Sequence, residues 1–487
     1  MNATFLVVLI ALGVRLVLAA WSGLGIDESY MVAASTRFAA SYFDHPLASW
    51  WLELGARHLL GSAIPIVVRL PFIVLSGVSS WLLYLITRRL FGSQAGFWAV
   101  VAYAISPVFS LAFGTWVLPD GPLDTALLAF LYALIRALGL PTGKPAPPWW
   151  LLAGLFAGLA MLSKYNAGLV LAGAAVAVLL DPAGRRQLAT PWPWLGVALA
   201  ILLASPIVIW NIQHHWISFA YQGDRALGLR LRPLMPLTIW GGEALYILPW
   251  LWVPMIWLML RGFMAGPAQR SGWLLAWAGV FPVLLFALVG LWSHTRILYH
   301  WATPGYLMLF PLMGDWATRR RQYLIGSVAL ASGILLGAAA LLIVLLTQLG
   351  LPAVLAHGFR PGKSPMLQAV NWTSITQNLP PGIEAVAAQR WFDAGKIGYA
   401  LRRQGVTVPV TVFGAQPHQF AITTPPSSLL GKTILVIAMP GEPEWTYRHF
   451  APDFASLKPG PTLRVMDHGT TLLTIPTFIG TDLLKVP

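Results

Sequence analysis

Eleven apolar runs limit this chain to one class of fold. A helix needs about 20 mostly apolar residues to cross a bilayer, and we therefore predict a polytopic α-helical membrane protein with about 11 transmembrane helices. The first run lacks a basic leader and a small-residue cleavage site, so we predict a span there rather than a signal peptide. The runs lie at roughly 3–21, 63–86, 94–114, 121–138, 149–163, 165–181, 192–211, 237–260, 271–291, 298–315 and 322–347.

The composition supports this assignment. Hydrophobic residues make up 57% of the 487 residues and charged residues only 10%, whereas soluble domains carry roughly 25% charged residues. An ordinary soluble enzyme and a disordered chain are both excluded. Cysteine is absent, which excludes disulfides, thiolate nucleophiles and cysteine metal sites. We attribute the net charge of +14 to membrane topology and to attraction for anionic lipid.

Short basic loops predict the sidedness of the spans, because loops rich in Lys and Arg stay in the cytoplasm. With the spans above, five basic clusters fall on one face, so the N-terminus is predicted inside and the C-terminal segment outside. Most acidic residues before residue 350 fall on the opposite, outer face, which we expect to hold the chemistry. The basic clusters are Arg88-Arg89, Arg136 with Lys144, Arg185-Arg186, Arg261 with Arg270, and Arg319-Arg320-Arg321.

Residues 352–487 differ from the preceding part in their sequence pattern. Short alternating stretches at Val406–Phe413, Thr433–Ala438 and Thr470–Ile475 are separated by Pro and Gly, a pattern typical of strands. We predict a transmembrane domain over residues 1–350 and a small mixed α/β extracytoplasmic domain over residues 352–487.

The first outer loop, about residues 22–62, opens with Asp27-Glu28-Ser29-Tyr30. Acidic residues at a membrane surface are costly unless they have partners or a function. One interpretation is a general base that takes a proton from an acceptor hydroxyl. The alternative is a helix N-cap, which Asp provides well. Tyr30 is a possible contact for the acceptor or for the molecule that donates the transferred group.

The same loop continues with Tyr42-Phe43-Asp44-His45-Pro46-Leu47 and the stretch Ala48–Leu60. The spacing of apolar residues in that stretch predicts an amphipathic helix on the membrane surface. Asp44 and His45 stand at its start, where a carboxylate and an imidazole suit contacts to a sugar phosphate. The alternative is a plain helix start with His45 as a surface residue.

A second acidic residue, Asp120, stands at the outer end of the third run in Pro119-Asp120-Gly121-Pro122, with no obvious local cation. Lys164 lies in the outer connection between two later runs. Its ammonium could pair with a phosphate as a point charge or extend into the interface without a function. Arg69 is a second choice for the phosphate, although it could simply end a span.

Two later polar clusters are predicted on the same outer face. They contain His214 and His215 after the seventh run, and His294, Arg296 and His300 around the tenth. Arg296 is a candidate contact for a phosphate or carboxylate. His214 and His300 are possible contacts for the donor substrate or the acceptor substrate. No metal-site motif is present, so the prediction includes no cofactor and no metal, although a divalent ion remains possible.

Nucleotide-binding motifs are missing as well. Gly431-Lys432-Thr433 resembles the end of an ATP-binding loop, but Pro426 stands where that loop needs Gly. An ATP-driven pump and a serine hydrolase are therefore disfavoured.

These motifs in their order resemble the GT-C membrane glycosyltransferases, in the bacterial branch similar to protein O-mannosyltransferases and to the aminoarabinose transferase of lipid A. The resemblance covers residues 1 to about 320. It rests on Asp27-Glu28, Tyr42–Leu47, Pro119–Leu123, Gly158–Lys164, Pro206–Trp216 and His300–Pro304.

The resemblance implies a function and roles for individual residues. The family transfers a sugar from a polyprenyl-phosphate carrier to an acceptor at the periplasmic side, usually with inversion. By resemblance, Asp27 is the base with Glu28 beside it, Asp44 and His45 lie near the donor phosphate, Asp120 is the second acidic position, and Lys164 approaches the phosphate. His45 departs from the Lys of the aminoarabinose branch.

The leading hypothesis is an inverting, polyprenyl-phosphate-dependent glycosyltransferase of the bacterial inner membrane. Its predicted partners are the lipid-linked sugar donor, a lipid or surface-glycan acceptor and the bilayer, and no nucleic acid. One alternative is a transporter or flippase of a lipid-linked sugar, which would show repeats and mid-membrane polar residues. Others are a protein O-glycosyltransferase and a structural membrane protein.

Overall fold

A computed structural model describes residues 2–228, 230–350 and 366–487. The predicted domain boundary, between residues 350 and 352, falls at the start of a segment, residues 351–365, that lies outside the described residues.

Helices occupy most of the chain up to residue 350. The first ten are α1 (Asn2–Trp21), α2 (Ile26–Ala34), α3 (Leu47–Leu60), α4 (Pro65–Phe91), α5 (Ser93–Ile105), α6 (Phe113–Thr115), α7 (Asp120–Ala137), α8 (Trp149–Ser163), α9 (Ala167–Leu180) and α10 (Pro182–Leu188). The next eight are α11 (Pro191–Gln213), α12 (Ile217–Asp224), α13 (Met235–Ile247), α14 (Pro249–Ala265), α15 (Arg270–Val289), α16 (Thr303–Leu307), α17 (Phe310–Thr318) and α18 (Gln322–Gln348).

Five segments of the described chain are long and apolar enough to cross a membrane, and seven if each of two bent helix pairs is one span. The five are Asn2–Trp21, Pro65–Phe91, Pro191–Gln213, Pro249–Val289 and Gln322–Gln348. The chain is therefore a multi-pass membrane protein. The count of eleven spans stays a prediction.

Several predicted spans are broken where proline interrupts the backbone. The run 94–114 turns by 80° between α5 and Val108–Thr115, because Pro107 restricts Ser106 to an extended conformation. The run 237–260 divides at Leu248, just before Pro249. The run 298–315 is split into a 3-10 turn, Tyr299–Ala302, and the helices α16 and α17, which carry Pro304 and Pro311 in their first turns.

The chain forms two compact units. The first unit comprises Met1–Leu16, Ala39–Ser49 and Phe72–Ala338. Its helices approach closely at glycines, as is usual between membrane helices. Gly154 of α8 faces the Gly196 backbone of α11, and Gly173 of α9 faces the Trp277 carbonyl of α15, so that an added Cβ would collide in both places.

The second unit comprises Val17–Phe38, Trp50–Pro71 and Ala339–Pro487. Its five-stranded sheet has the order β2-β1-β3-β7-β4, in which β1 pairs in parallel with β2 and β3, and β7 pairs antiparallel with β3 and β4. The strands are β1 (Ala385–Ala388), β2 (Val410–Val412), β3 (Ile434–Ile437), β4 (Phe454–Pro459), β5 (Leu463–Asp467), β6 (Thr470–Ile475) and β7 (Thr477–Leu483), with β5 and β6 forming a separate hairpin.

The C-terminal region is thus the small mixed α/β structure that the sequence predicts. Its helices are α19 (Met366–Ala369), α20 (Trp391–Arg403), α21 (Phe420–Thr423) and α22 (Pro443–Phe450). The predicted strand Thr470–Ile475 has its exact bounds, while the predicted strand Val406–Phe413 is shortened to β2.

The helix predicted over Ala48–Leu60 is present as α3. Its apolar residues do not share one face, because Trp50 is fully buried whereas Leu59 is 87% exposed. Glu53 is also buried, and it pairs with Arg57 at 2.8 Å and accepts a hydrogen bond from the Ser35 hydroxyl.

Candidate functional site

The first unit contains a cavity of about 290 Å³. Two basic side chains and one imidazole, those of Lys164, Arg225 and His45, line it together with apolar and aromatic residues. The rest of the wall is uncharged. The other lining residues are Tyr165, Asn166, Leu169, Gln222, Ala226, Leu285, Phe286, Val289, Ile297 and Trp301.

Lys164 forms a buried ion pair with Asp120. The lysine Nζ donates to the two carboxylate oxygens at 2.8 and 2.9 Å. Asp120 is the first residue of α7, and Lys164 follows the last residue of α8. The sequence shows no cation close to Asp120, and in the structure its partner is Lys164, 44 residues later. The pair fixes the ammonium at the cavity wall.

A second carboxyl group lies one helical turn beyond Asp120. Asp124 is 1% exposed, and its two oxygens have no hydrogen-bond partner among the described residues. An unpaired carboxylate is costly in such an environment. The loss of Lys164 would leave Asp120 and Asp124 as two adjacent buried acids without a cation.

His45 lines the same cavity as Lys164. Burial lowers the pKa of His45 to about 4. The positive charges of Lys164 and Arg225 also lower this pKa, whereas the carboxylates of Asp44 and Asp120 oppose the shift. The imidazole is therefore neutral at physiological pH and is available as a hydrogen-bonding group rather than as a cation. Asp44 is buried beside it, and the Asp44 carbonyl accepts a hydrogen bond from Gln222 at 2.7 Å.

Arg225 is a cavity residue that the sequence reading missed. Its guanidinium lies 4.4 Å from the Tyr221 ring centre and 5.2 Å from that of Trp301. The hydroxyls of Ser293 and Thr295 donate to its carbonyl at 2.6 and 2.9 Å. Its position could have indicated a role in the site, since Arg225 lies on the predicted outer face, away from the five basic clusters.

The remaining predicted residues of the first unit have other surroundings. Arg296 is exposed and is not a cavity-lining residue. His214 stacks on Trp210 at 4.0 Å, and its Nδ1 lies 2.8 Å from the Trp210 carbonyl, so it caps the end of α11. His300 lies within electrostatic range of Lys164, Asp120 and Arg225.

In the second unit, Arg69 and Glu28 form a buried bidentate pair. The Arg69 Nε and Nη2 donate to the Glu28 carboxylate at 2.7 and 2.6 Å. The other N–H groups donate to the Ser22 carbonyl and hydroxyl and to the Gly23 carbonyl. A guanidinium has five N–H donors, and all five are engaged within the protein. Arg69 therefore orients Glu28 and has no donor left for a phosphate.

Asp27 and its neighbours on α2 differ sharply in exposure. Asp27 is exposed in the first turn of α2, whereas Glu28 is buried and accepts a hydrogen bond from the Gly25 backbone N–H. Tyr30 is also buried, against the rings of Trp50, Trp391, His418 and Phe420. Of the three predicted residues, Asp27 is the one that is accessible, and Glu28 accepts the hydrogen bond of the N-cap residue, Gly25.

The described residues contain no group of three or more His, Asp or Glu side chains arranged to hold a metal ion. The arrangement in the first unit instead offers two cations and a neutral imidazole in an otherwise largely apolar cavity. These groups suit a phosphate that carries an apolar substituent.

Replacing Arg69 with glutamine is expected to destabilise the protein by about 3–5 kcal/mol, because the Glu28 carboxylate would remain buried without its partner. Thermal unfolding in detergent micelles measures the effect. Arg448→Gln is the matched control, since Arg448 pairs with Glu444 at the surface, and such pairs contribute about 0–1 kcal/mol. Equal stability of the two variants would contradict the assigned role of Arg69.

Comparisons with known proteins concern the fold and the family resemblance of this chain. The family model described as dolichyl-phosphate-mannose-protein mannosyltransferase matches residues 44–210, a segment that contains Asp44, His45, Asp120 and Lys164. The solved structure of ArnT from Cupriavidus metallidurans in the apo state superimposes with a TM-score of 0.65 over 97% of both chains, at 16% identity. This chain has the GT-C fold.

The fold and the resemblance inferred from the sequence motifs are thereby confirmed. Two curated relatives of the GT-C chain are lipid A galacturonosyltransferase RgtD of Rhizobium johnstonii, 27% identical over 290 residues, and undecaprenyl phosphate-alpha-4-amino-4-deoxy-L-arabinose arabinosyl transferase 1 of Proteus mirabilis, 23% identical over 259 residues. The matches span 58% of this chain and 58% of the first relative, and 51% of this chain and 44% of the second.

Proposed function

We propose that this GT-C chain is an inverting glycosyltransferase of the bacterial inner membrane. It transfers a sugar from a polyprenyl-phosphate donor to a lipid or surface-glycan acceptor at the periplasmic face. The observation that carries the proposal is the cavity in which Lys164 and Arg225 face otherwise largely apolar walls. That combination fits a phosphate attached to a long hydrocarbon tail.

The similar proteins support the same donor class. The arabinosyl transferase of Proteus mirabilis is named for an undecaprenyl-phosphate sugar, and ArnT from Cupriavidus metallidurans has been solved bound to undecaprenyl phosphate, with a TM-score of 0.63 to this chain. Two relatives, RgtD and the lipopolysaccharide core galacturonosyltransferase RgtB of Rhizobium johnstonii, are named for lipid A and lipopolysaccharide. They favour an acceptor of that kind.

The proposed reaction is a single displacement at the anomeric carbon. The acceptor oxygen forms a bond to that carbon while the bond from the carbon to the phosphate oxygen breaks. The acceptor proton passes to the Asp27 carboxylate as general base. The departing polyprenyl phosphate gains negative charge, which Lys164 and Arg225 stabilise, and His45 offers a neutral hydrogen bond. Asp120 holds the Lys164 ammonium in place.

The experiment uses purified protein in lipid with a panel of radiolabelled polyprenyl-phosphate sugars and a membrane lipid extract. Release of polyprenyl phosphate that depends on the extract supports the transferase and identifies the donor. Tight donor binding without release would contradict it and favour a transporter.

Replacing Arg225 with glutamine is expected to weaken the binding of undecaprenyl phosphate by roughly 10–100-fold, because a hydrogen bond from a charged group contributes about 1.5–3 kcal/mol. Quenching of tryptophan fluorescence on titration measures the affinity, since Trp301 lines the cavity. The control is Arg230→Gln, an exposed arginine of the same segment. Equal affinities for the two variants would remove Arg225 from the phosphate site.

A further inference from the structure

The turn that leads into α2, residues 22–25, is held by ionisable side chains at every residue. Arg69 donates to the carbonyls of Ser22 and Gly23 at 2.9 and 2.8 Å. The Gly25 N–H donates to the Glu28 carboxylate at 2.8 Å. The remaining residue of the turn, Leu24, is held by a side chain from a distant part of the sequence. Its carbonyl accepts a hydrogen bond from Lys396 at 2.6 Å.

Lys396 lies on α20 and is 3% exposed. Besides the Leu24 carbonyl, its Nζ donates to the carbonyls of Gln368 at 2.6 Å and Val370 at 3.1 Å. Burying a lysine is costly unless its donors are satisfied, and here each of the three ammonium protons has an acceptor. One side chain therefore joins the turn before α2 to the segment that begins with α19.

The hydrogen bonds of Lys396 do not require a permanent charge. Burial lowers the pKa of Lys396 to about 7, with the nearby Glu28 carboxylate opposing and Arg69 reinforcing the shift. A neutral amine keeps two N–H donors, which suffice for the two carbonyls at 2.6 Å. The link to Leu24 is therefore compatible with either protonation state.

Gly23 provides an independent sign that the turn is seated against the C-terminal residues. A Cβ at this position would collide with the Ala369 carbonyl. The backbone of the turn and the backbone after α19 thus approach more closely than any residue with a side chain permits. Lys396 adds a hydrogen bond to the next residue of the turn, Leu24.

We propose that Lys396 is a positioning residue through which the C-terminal domain fixes the location of Asp27. Asp27 follows the held turn by two residues, in the first turn of α2. A catalytic group misplaced by about 1 Å can lose about 100-fold in rate. The inference rests on the proposed role of Asp27 as the general base, and it gives the C-terminal domain a function in catalysis.

The test replaces Lys396 with methionine, which retains the length of the side chain without its donors. Gly23→Ala is the second variant, because it displaces the same turn while Lys396 stays intact. Lys458→Met is the control, since Lys458 is an exposed lysine on β4 of the same unit. Three quantities are measured for each, namely amide hydrogen exchange of residues 22–30, kcat for release of polyprenyl phosphate, and the affinity for undecaprenyl phosphate.

Both turn variants are expected to exchange at residues 22–30 at least about tenfold faster, because each one makes local opening of the turn easier. The kcat falls about 10–100-fold, the affinity for undecaprenyl phosphate stays within about twofold because Lys396 does not line the cavity, and the control matches the wild type in all three.

Two results would overturn the inference. Unchanged exchange in Lys396→Met shows that the lysine does not hold the turn, and faster exchange with unchanged kcat shows that holding the turn does not position the base. If Lys396→Met does not fold, Gly23→Ala still decides the second point, because faster exchange with unchanged kcat in that variant also shows that holding the turn does not position the base. Absence of release by the wild type overturns the proposed function instead, and the exchange measurement then still decides whether Lys396 holds the turn.

Discussion

Replacing Asp27 with asparagine is expected to lower kcat by about 10²–10⁴-fold, the usual contribution of a general base. Asparagine keeps the size of the side chain but does not accept the acceptor proton. Because Asp27 is exposed, the free energy of unfolding should change by no more than about 1 kcal/mol, the upper end of what an exposed ion pair contributes. Release of polyprenyl phosphate and thermal unfolding are measured on the same preparation.

The neighbouring carboxylate provides the matched control for Asp27. Glu28→Gln removes an acid of the same motif, but Glu28 is buried against Arg69. We expect Glu28→Gln to lower the stability of the protein, whereas Asp27→Asn should leave it nearly unchanged. Normal turnover by Asp27→Asn, or a loss of turnover explained by unfolding, would contradict the assignment of Asp27 as the base.

Replacing Lys164 with methionine is expected to lower kcat by about 10²–10³-fold, because one charged donor to the leaving phosphate is lost. The variant should also lose about 3–5 kcal/mol of stability, since Asp120 would remain buried without a cation. The two effects have different origins, and a second substitution separates them.

The double variant Lys164→Met with Asp120→Asn removes both charges of the buried pair. Its stability should recover towards that of the wild type, while its kcat should stay low because the cation is still missing. Recovery of turnover together with stability would show that Lys164 has only a structural role. The measurements are thermal unfolding and release of polyprenyl phosphate at saturating donor.

The sequence predicted two residues that line the cavity, His45 and Lys164, and also Asp120, which pairs with Lys164. His45, Asp120 and Lys164 are far apart in sequence, and the structure brings them together in the first unit. Each was predicted because its residue type is unusual beside an apolar run. Their mutual contacts were not predictable, and the pairing of Asp120 with Lys164 depends on how α7 and α8 pack.

Other features depend on tertiary structure that no local pattern records. Asp27 and Glu28 are adjacent and chemically similar, yet one is exposed and the other is paired with Arg69, 41 residues away. Arg225 becomes a cavity residue through its contacts with Tyr221 and Trp301. Lys396 lies in an ordinary amphipathic helix whose sequence gives no sign that the lysine reaches Leu24.

Where the predicted helix and strand bounds were wrong, the reasons are local. Hydropathy averages over a window, so the run 94–114 was predicted as one span although Pro107 breaks it. Likewise, Val406–Phe413 alternates like a strand, but only Val410–Val412 finds a partner, at β1. Pairing depends on neighbours in space, which alternation alone does not provide.

The central proposal is that this GT-C chain transfers a sugar to a lipid or surface-glycan acceptor. Its most direct test is mass spectrometry of lipid A and lipopolysaccharide core acceptors after incubation with the purified protein and polyprenyl-phosphate sugars. The account predicts that the wild type adds the mass of one sugar to an acceptor, with equal release of polyprenyl phosphate, and that Asp27→Asn adds none. Unmodified acceptors with the wild type, despite measured binding of the donor, would contradict it.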